Sequence, residues 1–148
     1  DVPGNVDDRM AAHFDLDVGA PGQSGVYRIA PQPLDTMAAL ARDAGLRVLR
    51  VDLAGCGSKR TLLARMATQL DFPHGSGMNW DALSDNLRDL SWLPAQGYAL
   101  LLEAADALRG GASEDFHVLL DILDETAAAW AATDVPFVAF VSLEETED

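Results

Sequence analysis

The feature that most constrains this chain is a set of short apolar runs spaced by segments of helical period. Tyr98 to Leu102 is continuously apolar. It is too short for a buried helix and lacks the alternation of a half-exposed strand, so it reads as a strand covered on both faces. Arg47 to Leu53 and Pro136 to Leu143 are β-branched and apolar, and Val26 to Ile29 is a shorter run of the same kind. Between them lie helical patterns. Leu34, Met37, Ala38 and Ala41 line one side of a segment that stops at Gly45. Ser58 is placed to cap a helix reaching about Leu70, with Leu62, Leu63, Met66 and Leu70 as its stripe. Asn79 caps the next, to about Leu90, and a helical turn follows over Ala104 to Arg109. Ser113 caps a long helix carrying Phe116, Leu119, Leu120, Leu123, Ala127 and Trp130. Strands alternating with helices predict an α/β fold. The expected architecture is a small three- to four-stranded, mainly parallel sheet flanked by helices and joined by crossovers.

At 148 residues and 49% hydrophobic content the chain has room for one real core. Residues 1–25 are rich in Asp, Gly and Pro without a sustained period and read as a mobile tail; 26–148 reads as a single domain. Glu144 to Asp148 is a solvated acidic end. No apolar run approaches the roughly 18 residues that cross a bilayer, so no membrane partner is expected. The start is acidic and unlike a secretory signal. A lone Cys56 cannot form an internal disulfide, which fits a reducing, cytoplasmic setting and a role as apolar filler.

The formal net charge is −14, and its distribution is uneven. Residues 1–78 carry 9 acids and 8 bases, whereas Asn79 to Glu125 carries 10 acids against Arg88 and Arg109 alone. That field repels nucleic acid and attracts basic partners. Within it, Asn79 to Leu90 has two faces. At about 100° per residue, Trp80, Leu83, Leu87 and Leu90 share one arc, while Asp81, Asp85 and Asp89 centre on the other, near Ser84 and Arg88. Like charges at i,i+4 cost a few tenths of a kcal/mol each. Asp81 gains from the helix dipole, but Asp89 sits at the wrong end for an anion. A row that weakens its own helix invites an external partner, although a plain solvated face has the same pattern.

The preceding loop, His74 to Met78, holds Gly75 and Gly77, which let backbone approach another molecule. It is not a phosphate cradle: the Lys-Ser/Thr of a P-loop and the G-x-G-x-x-G spacing are missing, and the helix behind it is acidic. No H-E-x-x-H, C-x-x-C or EF-hand spacing occurs, so neither a metal site nor a cofactor is expected. Asp81 and Asp85 should be open to water, an unsuitable place to tune acid–base catalysis. His74 near Asp81 is the one pairing that an enzyme could use, and no catalytic residue is assigned.

The stretch Phe72 to Leu90 resembles the signature of the barstar family. Its heart is a Gly-x-Asn-(Leu/Trp)-Asp-Ala-Leu-x-Asp-x-Leu pattern running here from Gly77 to Leu87. The similarity in element order spans about Val48 to Leu143, with Val26 to Gly45 an added strand and helix at the front. The resemblance implies a non-enzymatic ribonuclease inhibitor, which blocks a secreted basic ribonuclease, or a related basic toxin, inside the producing cell. It implies Asp81 and Asp85 as central contacts, with Gly77, Asn79 and Trp80 beside them. A late-helix acid, Glu114 or Asp115, would contribute. The family's loop aromatic falls at Gly75, its helix tryptophan at Ser84 and a cysteine at Asn86, so those contact positions are changed here.

Overall fold

The structure, a computed structural model, describes residues 24–144. The tail expected over 1–25 lies outside the described residues but for its last two, and so does the acidic end beyond Glu144. Gly25 opens a strand, and Ser24 Oγ accepts a 3.0 Å hydrogen bond from the Phe137 amide.

Four strands, β1 (Gly25–Ile29), β2 (Arg47–Asp52), β3 (Tyr98–Glu103) and β4 (Phe137–Ser142), form one all-parallel sheet in the order β1-β4-β3-β2. Five helices flank it: α1 (Leu34–Asp43), α2 (Lys59–Gln69), α3 (Trp80–Leu87), α4 (Asp106–Gly111) and α5 (Ser113–Ala131). The sheet explains the sequence pattern. β3 and β4 are central and buried on both faces, so they read as unbroken apolar runs. The edge strands β1 and β2 carry the arginines, Arg28 on one and Arg47 and Arg50 on the other. The front segment joins the sheet: β1 pairs with β4 from Gly25 opposite Val138 to Ile29 opposite Ser142.

Each face has its own core. On one, Leu49, Val51, Leu100, Leu102, Ala139 and Val141 meet α2, α3, α4 and α5. On the other, Ala99, Leu101, Val138 and Phe140 pack against Leu34, Met37, Ala38 and Ala41 of α1. Cys56 is free and fully buried. Among the described residues no helix is long and apolar enough to cross a membrane.

Two helix ends differ from the sequence reading. Ser113 is the first residue of α5, not its cap, and no side chain caps that helix. α4 leads almost directly into α5, with Ala112 donating to the Leu108 carbonyl and accepting from the Phe116 amide, so the backbone itself satisfies the junction. α3 ends at Leu87 rather than Leu90. Leu90 turns into the left-handed region at φ 49° and is fully buried. Such a backbone costs about 1–2 kcal/mol, comparable with what burying the leucine returns.

Candidate functional site

The acidic helix is held at both ends and along its buried side. At its start Asn79 is extended (φ −149°), and its Oδ1 accepts from the Ala82 amide at 2.8 Å. That bond fixes where the first turn begins and so where Asp81 projects. Leu83 and Leu87 are buried in the core. At the far end the Trp130 indole donates to the Leu87 carbonyl at 2.9 Å, satisfying a terminal acceptor of α3 from α5. Trp92 does the same for Leu70 just past α2, at 3.0 Å, and the Tyr98 hydroxyl donates to the Leu93 carbonyl at 2.9 Å. A buried indole or phenol needs such a partner. These three bonds tie α3 to α5, the loop after α3 to the end of α2, and that loop to the amino end of β3.

The loop before α3 is pinned as well. Ser76 Oγ donates to the Pro73 carbonyl at 2.7 Å, and Asn86 Nδ2 donates back to Ser76 Oγ at 3.1 Å, joining loop to helix. Gly75 has φ +87°, where a side chain would be strained. At Gly77 a Cβ would stand 2.9 Å from Asn79 Nδ2, so the capping side chain occupies the space that glycine leaves.

Asp81 and Asp85 both face solvent. Asp81 has no hydrogen-bond or ion-pair partner among the described residues. Asp85 meets only Arg88, at 3.5 Å, with its side chain 77% exposed. A loose surface pair of that kind contributes about 0–1 kcal/mol and leaves the carboxylate open to a better partner. Ser84 lies between them, half-buried. Trp80 is half-buried against the core, with Lys59 Nζ 5.3 Å from its ring centroid. Along this loop and helix Gly75, Gly77, Asn79, Asp81 and Asp85 are exposed, and Trp80 and Ser84 are half-buried.

Glu114 and Asp115 lie on a different helix. They open α5, about 24 Å along its axis from Trp130, whereas Asp81 is only about 9 Å from Leu87. Asp124 is exposed on α5, about 9 Å along its axis from Trp130.

A second charged cluster lies at the carboxyl edge of the sheet, on the α1 face. Arg50 contacts Glu103 at 2.7 Å and Asp35 of α1 at 3.0 Å. The Glu103 hydrogen bond raises the guanidinium's pKa most, against the opposing desolvation, with Asp35 adding to it. A cleft of about 260 Å³ opens beside them, its wall including Asp52, Asp106 and Glu144. Its one cation is already held by carboxylates, so it is poorly built for phosphate. Among the described residues no group of His, Cys, Asp and Glu is arranged to hold a metal ion.

The fold and this surface define a parallel α/β protein that presents carboxylates on a fixed helix. The chain belongs to the family described as Barstar (barnase inhibitor), whose model matches residues 46–142. No curated protein sequence matches it. Among solved structures it is similar to the ORC2 protein of Aeropyrum pernix, determined in ADPNP–ADP complexes. The TM-score is 0.55 at 16% identity, covering 91% of this chain and 38% of that one. The chain therefore spans little more than a third of that protein, and the likeness is one of fold.

Proposed function

We propose that this chain is a cytoplasmic, non-enzymatic inhibitor of a basic ribonuclease, protecting the cell that makes the enzyme. A ribonuclease grips a phosphodiester with arginine, lysine and histidine, and Asp81 and Asp85 would stand in for successive phosphates in that cleft. The observation that carries this reading is a pair of exposed carboxylates, barely used by their own fold, on a helix fixed at both ends. Arginine would meet them through charge-assisted hydrogen bonds. The acidic stretch from Asn79 to Glu125 would speed the encounter and make it salt-sensitive. An acid on α5, with Glu114 and Asp115 the candidates that the resemblance offers, would assist.

The test is titration of the chain into RNA cleavage by barnase and other small basic ribonucleases. Stoichiometric loss of cleavage supports the reading; unchanged turnover across the set at micromolar inhibitor refutes it. A second reading keeps the surface and changes the target to another basic toxin. It is favoured by Gly75 and Ser84, which put no aromatic anchor where the resemblance has one. Recovery of a basic toxin without ribonuclease activity would select it.

A further inference from the structure

Resting on that reading, we propose that Met78 determines target specificity: it is an apolar anchor that enters a recess bordering the basic cleft of the partner ribonuclease. Met78 is the one large hydrophobic side chain among the described residues that is exposed, at 53%. A single exposed apolar side chain on a protein surface is ordinary; this one differs in where and how it is presented. It sits directly between Gly77 and the capping Asn79, three residues before Asp81, in the exposed segment that leads into the acidic helix.

Both shoulders of Met78 are fixed. On one side the Ser76 amide and hydroxyl both reach the Pro73 carbonyl, at 3.2 and 2.7 Å, and Asn86 of α3 holds Ser76. On the other, Asn79 is locked by its bond to Ala82. The backbone carrying Met78 is therefore ordered before any partner arrives, and binding need only order the thioether. Preorganisation of this kind preserves affinity that a loose loop would lose. A methionine is also suited to an apolar recess of irregular shape.

The neighbours leave this role to Met78. Gly75 has no side chain, Ser84 is small and polar, and Trp80 is half-buried beside Lys59. Carboxylates alone discriminate poorly among basic ribonucleases, because each of these grips its phosphodiester with a basic cleft. Discrimination among such clefts needs a contact of different chemistry at the rim, and Met78 supplies it.

The experiment measures association and dissociation rates of the full chain, Met78→Ala and Met78→Leu with a panel of small basic ribonucleases, barnase included, at two salt concentrations. For the member bound most tightly, Met78→Ala should dissociate about tenfold faster, with the association rate and its salt dependence unchanged. The preference among panel members should shrink, and Met78→Leu should stay within about threefold of the parent. Because the side chain is exposed, the thermal midpoint should not move, which separates recognition from folding. Dissociation of Met78→Ala within twofold of the parent on the tightest member overturns the proposal while leaving the inhibitor reading intact. Failure of the unmodified chain to bind any member overturns that reading, and this one with it.

Discussion

Two groups of charges on opposite faces of the sheet have been treated differently. On the α1 face, Arg50 is shared between Asp35 and Glu103 at 3.0 and 2.7 Å, so a cation brought in by β2 is answered by acids from α1 and β3. On the other face, Asp81 has no partner among the described residues and Asp85 has a loose one at 3.5 Å. The first arrangement completes itself and links α1 to the sheet. The second is left incomplete, with Asp81 and Asp85 repelling each other at i,i+4 and only the loose Arg88 contact to offset them. The charges that the fold uses here find their counterparts inside it, and those proposed to meet a partner stay open.

That contrast can be broken most easily at Asp85. Asp85→Ala should cost about 2–5 kcal/mol of affinity for the cognate ribonuclease at physiological salt, read by binding kinetics, because the target's arginine would be buried without its counter-ion. Unfolding by denaturant should change by no more than about 0.5 kcal/mol. Trp130→Phe reverses the pattern. It leaves the Leu87 carbonyl without its indole donor and should cost about 1–3 kcal/mol in denaturant unfolding. Affinity should fall less than for Asp85→Ala, since the acids themselves remain.

Arg50→Met sharpens the comparison from the self-contained side. Both charges are about a third exposed, so solvent screens the bridge and its loss should cost only about 1 kcal/mol or less of stability. Ribonuclease affinity should be unaffected, and an equal loss of affinity at Arg50 and Asp85 would erase the distinction drawn here. The smallest effect lies in alkali. Burial raises the Tyr98 phenol above its usual 10.0, so the folded state holds this proton more tightly than the unfolded one. The stability it contributes is complete below pH about 10 and is lost as pH rises through the folded value. In Tyr98→Phe, the pH dependence of the unfolding free energy over that window should be shallower.

Much of this was legible from short-range signals. The unbroken apolar character of Tyr98 to Leu102 gave away a strand covered on both faces, and Ser58 and Asn79 were readable as caps because their partners, Thr61 and Ala82, lie three residues on. The opposed arcs of α3 followed from helical geometry alone. Misreadings came where tertiary context overrode local preference. Ser113 is a good cap residue, but α4 already supplies the junction, and Leu90 fits the apolar arc of α3 yet reaches the core through a left-handed turn. The remaining features span large sequence separations. Arg50 and Glu103 are 53 residues apart, and Trp130 and Leu87 are 43. Those pairings depend on strand order and helix packing, which a periodic pattern does not encode.

The central claim is that open carboxylates on α3 take the place of phosphates in a basic cleft. Association and affinity of the isosteric double variant Asp81→Asn/Asp85→Asn with the cognate ribonuclease, measured across a range of ionic strength, test it most directly. The account predicts a loss of affinity of at least about a thousandfold, together with a clearly weaker salt dependence of the association rate. Affinity and salt dependence equal to those of the unmodified chain would contradict it.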